Sequence, residues 1–88
     1  MITDAAIRFN GKIYTGKGHA LIMNDIRKEF PNAHYPHPND MGFVNDNGQY
    51  LRRAPAFIEA LKCEQIEIGK TFQPDELFSE DIFKNETN

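Results

Sequence analysis

The sequence predicts an α+β fold: duplicated ββα units forming a small antiparallel sheet with helices on one face, followed by a short C-terminal helix. A strand–turn–strand–helix pattern occurs twice along the chain, each time with an Asn-Gly pair at the turn. Asn-Gly between alternating residues is a strong hairpin signal, because type I′ turns need positive φ at both central positions. With 88 residues in total, we expect a single α+β domain over residues 1–83 and a frayed C-terminal tail over residues 84–88.

The first hairpin is predicted to pair residues 5–9 with residues 12–15 around the Asn-Gly turn at 10–11. A two-residue loop sets Ile7 opposite Tyr14. These two side chains are therefore expected on the same face of the sheet.

The second hairpin allows two registers. A two-residue loop at 47–48 sets Asn45 against Tyr50, whereas a four-residue loop over 45–48 sets Phe43 against Tyr50. We predict the second register, because it pairs aromatic with aromatic and leaves the polar residues in the turn.

The first unit continues into a predicted amphipathic helix over residues 19–30. Ile22, Ile26 and Phe30 recur every four residues, and Leu21 widens the apolar face. The proline that follows ends this helix, since it pushes the preceding residue out of helical geometry.

The second unit continues into a predicted helix over residues 55–64. It opens with a proline, whose missing N–H costs nothing in the first turn. Phe57, Ile58 and Leu61 form the predicted buried stripe. Cys63 falls inside the helical pattern, and we interpret it as a buried free thiol.

The C-terminal part of the chain carries weaker patterns. Residues 66–73 suit a further strand or an extended segment, and Pro-Asp-Glu at 74–76 predicts the start of a helix. The apolar residues at helical spacing that follow are Leu77, Phe78, Ile82 and Phe83.

Charge is distributed unevenly along the chain, whose formal net charge is −3. Residues 74–88 carry five acidic side chains against one lysine, while residues 1–73 are nearly balanced. A nonspecific nucleic-acid binder usually has a basic surplus, so direct nucleic-acid binding is not expected. No apolar run approaches the length of a membrane span, and one cysteine suits a reducing cytoplasm.

Basic side chains occur where each hairpin leads into its helix. Lys17 and His19 stand at the first of these corners, and Arg52 and Arg53 at the second. If the two units pack as a pseudo-symmetric pair, the corners converge on one anion pocket. The alternative is a plain turn with His19 capping the helix and the arginines on the sheet surface or paired with acidic residues. The candidate ligand-binding residues, including two aromatic side chains to stack on a base, are Lys17, His19, Phe43, Tyr50, Arg52 and Arg53.

Other groups point less clearly to chemistry. His34, His37 and Asp40 have a spacing that could bind zinc, but a structural site needs four ligands and the prolines around them favour an ordinary exposed loop. No set of nucleophile, base and orienting group is evident. We therefore predict that the protein is not an enzyme and uses neither a cofactor nor a metal.

The acidic and aromatic sequence at residues 77–83 either folds back onto its own domain or a second subunit, or binds a partner. The candidate partner-binding residues here are Phe78, Glu80 and Asp81.

Three stretches carry a pattern that spans nearly the whole chain: residues 11–17 with His19, residues 42–44 with Gly48, Tyr50, Leu51 and Arg53, and residues 77–83. In these stretches the chain resembles a family of small, largely uncharacterised accessory proteins of tailed bacteriophages and prophages. Two positions depart from that family: Gly18 stands where a basic residue is usual, and Glu64-Gln65 replaces a Gly-Gln pair. The first departure weakens the expectation that the His19 corner binds a phosphate strongly.

The resemblance implies a phage accessory protein and no established activity. By analogy with small phage proteins of this size, the leading hypothesis is a host-defence antagonist that sequesters a small anionic, nucleotide-like ligand. The alternative is a protein-directed inhibitor that binds a host nuclease or immune effector through the acidic C-terminal segment or the His-Pro loop. A small core also favours a homodimer.

Overall fold

The structure is a computed structural model that describes residues 1–83, so the predicted frayed tail at 84–88 lies outside the described residues. Both ββα units are present, and the predicted α+β fold is confirmed. The elements in chain order are β1 (Ile2–Phe9), β2 (Lys12–Gly16), α1 (His19–Glu29), a 3-10 turn (Pro38–Asp40), β3 (Met41–Asn45), β4 (Tyr50–Arg52), α2 (Arg53–Lys62) and α3 (Ser79–Ile82).

The four strands form one antiparallel sheet in the order β2-β1-β3-β4. Each unit contributes one central and one edge strand, so β1 and β3 are equivalent neighbours at the middle of the sheet. Ala5 and Phe43 face each other across this pair, and both are fully buried. Apolar residues of α1 and α2 join them in one core, which places both helices on the same face.

The first hairpin has the predicted register, with Ile7 opposite Tyr14. Asn10 and Gly11 have φ angles of 53° and 73°, the positive values that a type I′ turn requires.

The predicted register of the second hairpin is wrong by one residue: Tyr50 lies opposite Val44, and Phe43 lies opposite Leu51. A three-residue turn replaces the four-residue loop, with the Gly48 N–H donating to the Asn45 carbonyl at 2.9 Å and Gly48 at φ 75°. The Asn45 side chain accepts the N–H groups of residues 47 and 49 and so fixes this turn. A one-residue shift in register moves each side chain of a strand to the opposite face of the sheet relative to its neighbour. Phe43 and Tyr50 therefore lie on opposite faces.

Helix α1 buries one stripe against the sheet and ends at Glu29. Phe30 is its C-cap, and its N–H donates to the Ile26 carbonyl. Leu21 is 40% exposed, so the prediction that it widens the buried face is wrong. The buried residues are His19, Ile22, Met23 and Ile26.

Helix α2 begins at Arg53, two residues earlier than predicted. Ala56, Phe57 and Ala60 are its buried residues, spaced along the same face as Arg53. Ile58 falls outside that face and is 56% exposed, so its predicted burial is wrong.

The end of α2 corrects a second prediction. Cys63 is the C-cap of α2, outside the helix proper, and it is exposed, so its interpretation as a buried thiol is wrong. Gln65 then reaches back to β1, exchanging two hydrogen bonds of 2.8 Å with the backbone of Ile2.

The C-terminal segment is more irregular than predicted. Residues 66–73 form turns and bends in place of a strand, and α3 covers only four residues. The predicted helix start at 74–76 is wrong: these residues form bends, and Leu77 after them is fully buried in the core, with its N–H bonded to the Arg53 carbonyl at 3.0 Å. The Asp81 carboxylate accepts the Phe78 N–H at 2.9 Å, which satisfies an N–H group before the first turn of α3.

A candidate anion-binding pocket at the start of helix α2

The two strand-to-helix corners follow the two edge strands of the sheet, β2 and β4. His19 is the first residue of α1 and Arg53 the first of α2. The Arg53 charge helps to lower the pKa of His19. The pocket beside Arg53 is lined by Arg52 and Arg53 but not by Lys17 or His19.

His19 belongs to the core. Its Nε2 lies 2.8 Å from the Gly42 carbonyl oxygen, and its ring meets that of Phe43 edge-on at 5.2 Å. Because a carbonyl only accepts, Nε2 carries the proton. Burial is the main cause that lowers the pKa of His19, so the neutral ring is favoured. His19 is therefore a structural residue, but it does not cap α1 as the alternative expected: Gly18 is the N-cap, no side chain makes a capping bond there, and the His19 ring bonds the sheet at Gly42.

Lys17 and the two predicted stacking residues also lie away from a shared pocket. The Lys17 ammonium donates to the Thr3 carbonyl at 2.8 Å and lies 3.5 Å from the Asp4 carboxylate. Phe43 is fully buried and has no free ring face for a base. Tyr50 lies on the other face of the sheet, where its hydroxyl donates to the Asn39 carbonyl at 3.1 Å.

Arg52 and Arg53, by contrast, line a pocket of about 620 Å³. Arg53 is half-buried: its Nη1 donates to the Leu77 carbonyl at 3.1 Å, and its guanidinium lies 4.2 Å above the Phe78 ring. Within residues 1–83, neither arginine has a carboxylate within salt-bridge distance. The other lining residues are Pro38, Asn39, Met41, Ala54, Pro55, Glu76 and Phe78.

Backbone geometry adds to the positive character of this pocket. The first N–H groups of a helix lack intrahelical partners, and the N-terminal end carries partial positive charge. In the described part of the chain, Arg52 stands at the N-cap of α2 without a side-chain capping bond. Burial lowers the pKa of Arg53, and the charge of Glu76 is the largest of the opposing causes. The pocket can therefore accept an anion at the arginines and an apolar ring against Met41 and Phe78.

Several lining residues had no signal in the sequence. Pro38, Asn39 and Met41 reach the pocket only because the loop after α1 folds back beside α2. Glu76 lines it from beside the buried Leu77, as does Phe78, which the sequence had suggested only as a partner-binding residue. Phe72 extends the rim: it is 71% exposed, and its ring contacts the Phe78 ring at 5.0 Å.

The predicted partner-binding residues form part of the protein's own fold. Phe78 packs under Arg53, and the Asp81 carboxylate accepts N–H groups from Phe78 and Phe72. Glu80 is exposed and accepts the Ser79 hydroxyl at 3.2 Å. The C-terminal segment thus docks in cis, and of the three only Glu80 has a largely exposed side chain.

The histidine-rich loop is held by other contacts. Arg8 bonds Asp40, and His37 Nδ1 accepts the Asn39 N–H at 3.1 Å. In the described residues, no three His, Cys, Asp or Glu side chains are placed to hold a metal ion. Over the same residues, no helix has both the length and the apolar character needed to span a bilayer.

Fold and pocket together define a small α+β protein built from two ββα units, with an arginine-lined pocket where the second unit's helix begins. The family model described as Phage T4 y16D protein matches residues 1–83, and the chain belongs to this family of small phage proteins. The resemblance to phage proteins drawn from the sequence is thereby confirmed. No curated protein matches the chain, and no solved structure does.

Proposed function

We propose that this phage protein is a non-enzymatic binding protein that captures a small anionic, nucleotide-like ligand in the pocket at the start of α2. The observation that carries the proposal is Arg53: its half-buried guanidinium lines the pocket, and over residues 1–83 no carboxylate lies within salt-bridge distance of it. Removing a charge from water without a full set of partners costs free energy. A bound anion offsets that cost through charge-assisted hydrogen bonds.

The pair of arginines favours a phosphate or carboxylate. A guanidinium presents its donors in a planar fork that matches two oxygens of such a group, and two forks side by side hold it more firmly. Arg52 is exposed and Arg53 half-buried. Arg52 can therefore attract the ligand from solvent, while Arg53 holds it in place.

The rest of the pocket favours a ligand with a flat ring. Its volume of about 620 Å³ lies in the range of roughly 300–1,000 Å³ common for small-molecule sites. Met41 and Phe78 offer apolar surface for a base, and base–aromatic stacking contributes to nucleotide affinity. These two residues take the role that the sequence led us to expect of Phe43 and Tyr50.

The lining also supports capture over catalysis. Among the nine described lining residues there is no Ser, Thr, Cys, His or Lys to act as nucleophile, and Glu76 is the one side chain that could accept a proton. A phage protein that holds a nucleotide-like signal without changing it would act in the host cytoplasm as an antagonist of host defence. Family membership and this pocket are what support that role.

Calorimetric titration with nucleoside monophosphates, or native mass spectrometry, tests the proposal. We expect Arg52→Ala to weaken nucleotide binding about tenfold or more, since it removes one charge-assisted contact, with the melting temperature unchanged. Lys62→Ala is the matched control, because it removes one positive charge from the exposed far end of the same helix. Equal binding by both variants, or no binding by the wild type, would overturn the proposal. The same spectra test the predicted homodimer.

A second candidate is an inhibitor that binds a host nuclease or immune effector. The observation that favours it is a row of exposed carboxylates, Asp75, Glu76 and Glu80, on a segment anchored by the buried Leu77. Such a row can complement a basic surface. Asp75→Asn combined with Glu80→Gln should abolish association with a host partner while leaving nucleotide binding intact. Unchanged association would exclude this surface.

A further inference from the structure

We infer that the pocket selects a guanine base, with Glu76 as the residue that reads it. This inference deepens the proposed function and rests on it. Glu76 lines the same pocket as the two arginines but comes from the C-terminal segment, not from α2. The pocket therefore combines a positive wall and a single negative group.

The position of Glu76 is fixed by its neighbours. Leu77 is fully buried and bonded to the Arg53 backbone, so the residues on either side of it point to the pocket. Phe78 is extended, with φ −117° and ψ 151°. Glu76 and Phe78 thus line the pocket from either side of the buried Leu77. A base that fills the pocket beside Met41 and Phe78 can present its edge to the Glu76 carboxylate.

Glu76 is also available to a ligand. Across residues 1–83, its carboxylate has neither a hydrogen-bond donor nor a cation within bonding distance. It is near enough to Arg53 to be the leading charge that opposes the lowering of the Arg53 pKa. A ligand that fills the pocket must offer an anion to the arginines and N–H donors to this carboxylate.

Guanine meets the second requirement better than the other bases. Its Watson–Crick edge presents N1–H and N2–H₂ side by side, two donors that match the two oxygens of a carboxylate. Adenine and cytosine place an acceptor nitrogen beside their amino group, which would face the carboxylate with a lone pair. Uracil offers one N–H between two carbonyl oxygens. Glu76 therefore attracts guanine and repels the edges of the others.

The negative charge also orients the ligand. A phosphate near Glu76 is repelled, whereas a phosphate near Arg52 and Arg53 is attracted. Inorganic phosphate, which has no base to bond Glu76, gains only the arginine contacts. A guanine nucleotide bound with its phosphate at α2 and its base on Phe78 gains both.

Titration of the wild-type protein with GMP, IMP and AMP tests the inference. IMP keeps N1–H but lacks the exocyclic amino group, and AMP presents an acceptor at N1. We expect GMP to bind about tenfold or more tightly than AMP, as a bidentate base contact provides, with IMP between them. Phosphate alone should bind more weakly than any of the three.

Glu76→Gln is the decisive variant, because the amide keeps the size but replaces one acceptor with a donor. We expect its GMP-to-AMP preference to fall about tenfold, while Asp75→Asn, an exposed neighbour outside the pocket lining, keeps the wild-type ratio. Equal affinity of the wild type for GMP and AMP, or an unchanged ratio in Glu76→Gln, overturns the guanine inference. The proposed function still stands in that case if Arg52→Ala weakens binding. If none of the three nucleotides binds, both are wrong.

Discussion

Arg53 and Leu77 exchange two hydrogen bonds: the Leu77 N–H donates to the Arg53 carbonyl at 3.0 Å, and Arg53 Nη1 donates to the Leu77 carbonyl at 3.1 Å. The residue that gives the pocket its buried positive charge therefore also fastens the C-terminal segment to α2. A substitution at Arg53 therefore affects both ligand binding and the stability of the fold, and a second variant is needed to distinguish the two effects.

Arg53→Ala should lower the free energy of unfolding by about 1–3 kcal/mol, because it removes the bond to Leu77 and the packing on Phe78. Arg52→Ala should leave it within about 0.5 kcal/mol, since Arg52 is exposed. Urea denaturation of both variants measures the difference. If the Arg53→Ala variant were as stable as the wild type, the two hydrogen bonds with Leu77 would contribute little to stability. Arg53 could then be treated as a ligand contact alone.

Leu77→Ala should destabilise the protein by about 2–5 kcal/mol, the range for a fully buried leucine truncated to alanine. Ile68→Ala, at a side chain 78% exposed, is the control and should change the stability by no more than about 0.5 kcal/mol. Thermal unfolding and urea denaturation check both. A small effect at Leu77 would show that the C-terminal segment is not part of the cooperative unit, and deletion of residues 74–88 would then be a clean test of partner binding.

Local signals predicted the parts of the fold that local chemistry determines. Asn10-Gly11 sets the first hairpin because its backbone preference permits one turn type, whereas the second turn depends on the Asn45 side chain bonding the backbone at Asn47 and Gln49. Aromatic pairing suggested a register for Phe43 that these bonds override. The sequence pattern therefore predicted that the second hairpin exists, but not its register or which face of the sheet the Tyr50 side chain occupies.

The candidate site was predicted in part for a similar reason. The repeat placed basic residues at two equivalent corners, but only the arginines of the second corner line the pocket. Gly18 and His19 are buried, and the His19 ring contacts Gly42 and Phe43 of the sheet. The pocket at Arg53 depends on where Leu77 packs, which no short-range pattern encodes.

Gly42→Ala should be strongly destabilising, by about 2 kcal/mol or more, because there is no room for a methyl group at this position. A Cβ there would lie 2.9 Å from the Tyr50 ring and closer still to the Leu51 carbonyl. Tyr50→Ala should not rescue it, since the backbone clash remains. Rescue in the double variant, measured by urea denaturation, would show that the Tyr50 ring alone excludes the side chain.

Acidification should destabilise the protein through His19. Burial lowers its folded-state pKa below the ordinary value of 6.5, so between these two values the unfolded chain binds a proton that the folded chain does not. The free energy of unfolding is then undiminished above pH 6.5, falls as the pH drops below it, and levels off below the folded-state pKa. His19→Gln keeps a donor for the Gly42 carbonyl but does not titrate, and should lose this dependence. Urea denaturation across pH 4–8, with NMR titration of the ring, measures both; the same pH dependence in wild type and variant would assign it to other groups.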